Sequence, residues 1–349
     1  MLNQLLKWTS MLALAAVVGV AAGEAKSQPS GNDAFILGAG STFAAPLMNA
    51  WIAAFGKDRP GVSINYDAVG SGEGISRFIT GSVDFAGTDA PLEEAEAAIA
   101  ARPVLQVPVA AGMIAFAYNL SGFKGELRLT RDLYPDIMAG KVAYWDDPRI
   151  QAANPGVKLP HRSIVAAARR DSSGTTFALT RHLAAADQSW RDAGPGVGTM
   201  VGWRGAMLAR GNEGVAQKIK ISDGAIGYVE YGFAKRLGLA MAIPENRAGN
   251  FVAPSDAAAL AAMADSKDDP LGDPRTFLAD PSGEDAYPIV TLTWILLNDR
   301  PATSAKDKVL RDFVGWGLTD GQALSAGLGY IPLPETISKP ALETVAVGS

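Results

Sequence analysis

The chain has 349 residues, 48% of them apolar, which is enough for a large core and about two domains. Its formal net charge is −5, from 31 basic and 36 acidic residues with no long block of either sign, which argues against nucleic acid as a partner. The absence of cysteine removes disulfides, thiolate metal sites, a cysteine nucleophile and a lipoprotein-type anchor together.

In chain order, Lys7 precedes an apolar run of 12 residues, Met11–Ala22, followed by the small residues of "AAGEA". That run is too short to span about 30 Å of hydrocarbon. Residues 1–25 read as a cleavable secretory leader, cut after Ala22 or Ala25. No later run of 18 apolar residues follows, so a soluble mature protein outside the cytoplasm is expected.

"GNDAFILGAG" predicts a short strand at Phe35–Leu37 ending in glycines. Phe43, Leu47, Trp51 and Phe55 then recur at steps of four, the apolar stripe of a helix. Ser41 and Thr42 stand at its start, where hydroxyls cap free N–H groups, and Pro46 is tolerated in the first turn. The pattern repeats: "VSINYDAVG", "GSGEG" and a helix with Ile75, Phe78 and Ile79 on one side; "VDFAGTDAPL", leaving Asp89 at a strand's carboxyl end; "SIVAAA", then a helix from "SSGTTFALTRHLAAA". Strand, Gly/Ser/Thr turn and helix, used three times, is an α/β signature whose ligands gather at the carboxyl ends of strands. "GAIGYVEYGFAKRLGL" predicts a strand turning into a helix. Asp265–Pro288 reads as a surface loop with helix near Phe277, "IVTLTWILLN" as a buried strand, and "KVLRDFVGWGL" as helical.

The chemistry is bounded by what is missing. No G-x-x-x-x-G-K-[ST] phosphate loop and no G-x-S-x-G elbow occur, and both "GAGSTF" and "GSGEG" lack the third glycine of a dinucleotide fingerprint. The only histidines, His161 and His182, lie outside the hydroxyl-rich turns and in no metal-spacing cluster, which leaves serine catalysis without an evident base. What remains is a set of helix starts at Ser41/Thr42, Ser71/Gly72 and Ser173/Gly174/Thr175. Free N–H groups and the positive end of the macrodipole suit a small oxyanion; any one such turn reads first as plain N-capping, and it is three in one chain that favour the anion. Strand alternation lets only one of Arg169 and Arg170 face a cleft, and Asp171 could hold its guanidinium in place. Asp89 repels an anion unless the ligand carries a proton. A carboxylate accepts a hydrogen bond from P–OH, whereas sulfate at neutral pH has none to offer. The alternative for Asp89 is a helix cap before "APLEEAEAAIA".

Taken in order, "GAGSTFAAPL", "YDAVGSGEG", "VDFAGTDAPL", "GKVAYWDDPRI", "RRDSSGTTF", "GAIGYVEY" and "GEDAYPI" resemble the phosphate-binding protein of bacterial phosphate ABC transporters over Gly38–Ile289. The resemblance implies an α/β, two-lobed periplasmic-binding-protein fold of type II, with hinge-linked lobes, a mixed sheet in each, and phosphate buried between them. It implies ligand contacts at Thr42, Phe43 (through its N–H), Ser71, Asp89, Ser173, Gly174 and Thr175. The spacing R-x-D-x-S-G-T then selects Arg169, with Asp171 in support. Two departures stand out: Ser172 replaces a frequent glycine, where a positive φ would cost about 1 kcal/mol, and Glu73 adds a charge that should point outward.

The expectation is a periplasmic, non-enzymatic receptor for inorganic phosphate, monomeric, without cofactor, metal or lipid anchor. Its partner would be a permease complex of two transmembrane proteins and an ATPase. Lobe one is expected at 33–118 plus 290–349 and lobe two at 119–289, with crossings near Ala117–Asn119 and Ile289–Thr291. A receptor for another oxyanion (sulfate, molybdate), a secreted phosphatase and a surface scavenger without a permease are the alternatives.

Overall fold

The structure, a computed structural model, describes residues 34–265, 271–272 and 278–347. The leader read at residues 1–25 and the helix near Phe277 lie outside them. Twelve strands run in chain order among the described residues: β1 Ala34–Gly40, β2 Val62–Ala68, β3 Phe85–Thr88, β4 Val104–Asn119, β5 Arg128–Leu129, β6 Val165–Arg169, β7 Met207–Ala209, β8 Ala225–Glu230, β9 Ala240–Met241, β10 Ile243–Pro244, β11 Val290–Asn298 and β12 Tyr330–Ile331.

The main sheet has the order β2-β1-β3-β11-β4-β8-β6-β7, with β9 and β12 also on β4. β1 pairs in parallel with β2 and β3, and β6 with β7 and β8, while β11 and β4 run antiparallel to their neighbours. This mixed pattern is what βαβ crossovers interrupted by two long returning strands produce. β4 joins the halves. Its residues Val104–Met113 pair with β11, and Ile114–Asn119 pair with β8. The strand exchanges one sheet partner for another at Met113/Ile114. The returning chain meets it there, where Ile114 N–H donates to Ile289 O at 2.9 Å. The sheet therefore curls into two lobes that share β4. The sequence reading passed over β4, whose 16 buried or half-buried residues have no polar alternation to mark a strand.

Pro108 lies in β4 opposite Trp294, and the register shifts between Thr293 and Trp294, leaving Val109 as the extra residue. A bulge is where a ladder without a proline N–H is tolerated, and it re-aims the side chains beside it. Here the neighbouring side chain is Thr293, whose hydroxyl reaches Asp89.

The helix expected from the stripe at 43, 47, 51 and 55 is Ala45–Gly56, burying Leu47, Met48, Trp51 and Phe55. Trp51 and Phe55 meet Phe313 of the helix Ala305–Leu318 edge-on at 6.4 and 5.4 Å. The strand expected at Phe35–Leu37 is β1, with Phe35 and Leu37 exposed and Ala34, Ile36 and Gly38 buried at the alternating positions. One expectation needs correction. The span 265–288 is not all surface: Leu278, Ala286 and Tyr287 are buried, and Tyr287 OH donates to Ile114 O at 3.0 Å, beside the strand exchange. Its Pro and Gly content concealed an aromatic anchor.

Candidate functional site

The carboxyl ends of β1, β2, β3 and β6 point into one cleft between the lobes, as open α/β sheets arrange their ligand sites. β3 ends at Asp89, which is buried. Ser41 Oγ, just after β1, donates to its two oxygens at 2.6 and 2.7 Å. Thr293 Oγ1 donates to Oδ1 at 2.9 Å, and Ser71 Oγ lies 3.5 Å from Oδ2. Burial pushes the Asp89 carboxyl up to about 6, and the Ser41, Thr293 and Ser71 hydroxyls with the Arg169 charge hold it from rising further. Ser41 also accepts from Ala44 N–H at 3.0 Å, so one hydroxyl caps the helix and steadies the carboxylate. Asp89 does not cap the helix Glu94–Ile99; Glu93 and Glu96 form that capping box.

On the other lobe β6 delivers Arg169 buried and Arg170 exposed, the alternation a strand imposes. Arg169 Nε donates to Asp171 Oδ1 at 2.8 Å, and Nη2 donates to Oδ2. Burial pushes Asp171 up, but the Arg169 hydrogen bonds and charge outweigh it and hold the carboxyl below its usual range. A guanidinium has five N–H donors, so this clamp leaves Nη1 and the second Nη2 hydrogen. The edge available to an anion is therefore Nη1/Nη2, because Asp171 takes the Nε edge. Tyr228 OH accepts from Arg169 N–H at 3.1 Å and meets Thr176 Oγ1 at 2.6 Å, which fixes the strand end from behind.

The helix Gly174–Ala186 begins here. Ser173 Oγ accepts from Thr176 N–H at 3.1 Å, an ordinary cap. Among the described residues, no group accepts from the N–H of Phe43, Ser71, Gly174 or Thr175. These are the donors that helix starts leave open. The lobes meet closely around them. A Cβ on Gly174 would stand 2.6 Å from Ser71 Oγ and 2.7 Å from Asp89 Cβ, so only glycine fits. Gly72 N–H donates to Ser172 O at 3.2 Å across the cleft.

Thr42 is buried at the same seam and accepts from Asn212. The Phe43 ring belongs to the core, 6.0 Å from Tyr330 and edge-on, which leaves only its backbone for the cleft. Ser172 is not in the left-handed region; among the described residues only Leu278 has a positive φ without being glycine. Glu73 is exposed and accepts from Arg77 Nε at 2.8 Å, turned outward as expected. Neither histidine is in this cluster. His161 stacks on Tyr144 with centroids 4.6 Å apart, and His182 bonds Tyr134 OH at 3.0 Å.

Thr293 and Asn212 were not anticipated. A threonine inside "IVTLTWILLN" looks like any β-branched strand residue, and its role becomes visible only once β11 is paired beside β3. Asn212 in "RGNEGV" did carry a signal, a glycine and an amide at a helix start like the three turns already singled out.

A match to the PBP superfamily domain spans residues 21–320. The phosphate-binding protein PstS of Xylella fastidiosa (strain 9a5c) is 35% identical over 305 residues, covering 87% of this chain and 83% of its own length. A high affinity periplasmic phosphate-binding protein solved with phosphate bound superposes with a TM-score of 0.71 at 23% identity, over 87% of this chain and 92% of its own. The phosphate binding protein of Stenotrophomonas maltophilia gives a TM-score of 0.69 at 18% identity over 88% and 93%. At these identities the two structures speak to the fold, which is the two-lobed periplasmic-binding-protein architecture, whereas the sequence match carries the lineage. The chain belongs to the PBP superfamily and, within it, to the family of phosphate-binding proteins called PstS.

Proposed function

We propose that this protein captures inorganic phosphate between its lobes, outside the cytoplasmic membrane, and hands it to an ABC permease. It does no chemistry on the ion, and ATP hydrolysis belongs to the partner. Thr42, Phe43 N–H, Ser71, Asp89, Arg169, Ser173, Gly174 and Thr175 hold the ion, with Asp171 fixing the arginine. The lobes are 34–113 with 290–347 and 114–289, hinged where β4 changes partners.

One observation carries the choice of ion. Among the described residues, Asp89 is a buried acceptor beside the open N–H donors of Phe43, Ser71, Gly174 and Thr175, and unlike Asp171 it is paired with no guanidinium. Its oxygens already take hydroxyl hydrogens, so a fully deprotonated tetrahedral anion would set lone pair against lone pair. Monobasic and dibasic phosphate have a P–OH to give, and sulfate at neutral pH does not. Burying the ion is tolerable because N–H groups, hydroxyls and one guanidinium replace its water. Among the described residues no helix is long and apolar enough to cross a membrane, in keeping with a partner that supplies the channel.

Titration calorimetry with phosphate and sulfate tests the reading. One phosphate site and no sulfate heat at pH 7.5 is the expected result; comparable sulfate binding overturns it. Loss of growth on limiting phosphate after deletion tests delivery.

A further inference from the structure

Asn212 is buried at the second position of the helix Gly211–Ile221, in lobe two. Its backbone N–H donates to Thr42 Oγ1 of lobe one at 3.1 Å. Its side-chain Nδ2 donates to the same oxygen at 3.2 Å and to Thr175 Oγ1 of lobe two at 3.1 Å. The remaining atom, Oδ1, accepts from Glu230 N–H at 2.9 Å. Glu230 is the β8 residue opposite Ile114, the first β4 residue after the exchange of sheet partners. One amide thus touches both walls of the cleft and the strand pair about which the lobes meet. Its backbone N–H, both side-chain N–H directions and one lone pair of Oδ1 are engaged.

The placement of these bonds matters as much as their number. A groove of about 920 Å³ runs along the seam and is lined by Thr42, Asp171 and Gly211. The Thr42–Asn212 pair therefore stands between open solvent and the buried donors around Asp89 and Gly174. The other direct tie near the ion, Gly72 N–H to Ser172 O, is backbone to backbone and carries no side-chain identity. When the lobes separate, the two Asn212–Thr42 bonds are lost and the Thr175 and Glu230 bonds, both within lobe two, are kept. Asn212 is thus preorganised by its own lobe to receive Thr42.

Resting on the phosphate reading above, we infer that Asn212 is the latch of the closed cleft, a positioning residue that sets how fast the bound ion is released. It touches the ion through no atom of its own; it holds Thr42 and Thr175 where they meet the ligand. Its effect falls on dissociation. Capture begins with open lobes, in which the bonds to Thr42 do not exist, so the association rate is insensitive to it.

The test uses the mature protein, whose lack of cysteine allows one fluorophore pair to be introduced, at the exposed Ile99 in lobe one and the exposed Ile221 in lobe two. Stopped-flow binding of inorganic phosphate gives the two rate constants, and single-molecule transfer between the fluorophores gives the open and closed populations with and without phosphate. For Asn212→Ala, loss of two hydrogen bonds across the seam should raise the dissociation rate about ten- to hundredfold, with association unchanged within about twofold. The closed fraction should fall in both conditions. A merely structural role would lower Tm and the active fraction without altering the release rate of the molecules that remain folded. A release rate within about threefold of the parent, or a loss confined to association, overturns the latch. If the parent binds no phosphate, the functional reading fails instead. The ligand-free closed fraction then still decides the latch, which is overturned if Asn212→Ala leaves that fraction unchanged.

Discussion

The helix Gly174–Ala186 has a polar cluster at each end, the carboxyl-end one around a half-buried ion pair and the amino-end one around a buried pair. Toward its carboxyl end Arg131 grips Asp280 through two bonds of 2.9 and 2.8 Å. His182 Nδ1 lies 3.2 Å from Ala279 O, so it carries the hydrogen, and Nε2 accepts from Tyr134 OH at 3.0 Å. The Asp280 carboxylate and both ring nitrogens of His182 are answered from within the chain. At its amino end Arg169 and Asp171 form a similar two-bonded pair, yet the guanidinium keeps free N–H groups and the helix start keeps unanswered donors beside Asp89. Both centre on an Arg–Asp pair, half-buried at the carboxyl end and buried at the amino end, and among the described residues only the amino end has helix-start N–H groups without an acceptor beside a buried carboxylate. That surplus, more than burial or charge, marks a binding site.

Removing the arginine from each cluster is the strongest way to break the comparison. Arg169→Ala should weaken phosphate binding at least a thousandfold by calorimetry, because it deletes the cation proposed to hold the ion and leaves the Asp171 carboxylate with no guanidinium beside it. Arg170→Ala, exposed on the same strand, should change it less than about threefold. Arg131→Ala should do the reverse, costing about 2 kcal/mol of stability with phosphate affinity intact. If Arg131→Ala harmed affinity as much as Arg169→Ala, the two clusters would be one functional unit.

Acid separates them by sign. Burial pushes His182 down to about 4, so it folds neutral. Its contribution is complete above the unfolded value near 6.5 and is lost as pH falls toward 4, up to about 3 kcal/mol. Asp89 is raised to about 6, so in the ligand-free protein its contribution is complete below the unfolded value near 3.8 and is lost as pH rises through 6. Thermal unfolding without phosphate from pH 4 to 8 should therefore change in opposite ways with two variants. His182→Gln should flatten the loss of Tm on the acid side, and Asp89→Asn should raise Tm above pH 6. Parallel shifts in the two variants would contradict this.

The same carboxyl governs discrimination. Asp89→Asn replaces an acceptor-only group by one that also donates, and sulfate affinity should rise about ten- to a hundredfold while phosphate affinity falls. In the parent protein, sulfate rejection should weaken between pH 7 and 5 as Asp89 takes up a proton. Continued exclusion of sulfate by the asparagine variant would put the selectivity in the shape of the cleft.

The sequence was most legible where local rules act. The three strand–turn–helix units, Arg169 buried against Arg170 exposed, and the outward Glu73 all follow from periodicity or from a resemblance that places motifs in order. Legibility failed where long-range pairing decides. β4 is buried on both faces and looks like no particular element, and Thr293, beside the bulge at Val109, reaches Asp89 from 204 residues away in the chain. Tyr287 escaped notice because its anchor, Ile114 O, is 173 residues away in the chain.

Ser172 offers the finest test of how the two lobes fit. It stands where relatives were expected to have glycine, and its Oγ donates to Thr199 Oγ1 at 2.9 Å instead of demanding an unusual backbone. The opposite wall accommodates it. A Cβ on Gly72 would come within 2.0 Å of Ser172 Oγ and 2.5 Å of its Cβ. Gly72→Ala should therefore hold the lobes apart and disturb the Gly72–Ser172 bond, weakening phosphate binding about tenfold, the scale of modest overpacking. Ser172→Gly alone should change little, since it removes one hydroxyl bond at a half-buried position. Combined with Gly72→Ala it should recover most of the loss, because the added methyl would then occupy the space the serine vacates. A double variant no better than Gly72→Ala would mean that the alanine acts on the turn itself and not across the cleft.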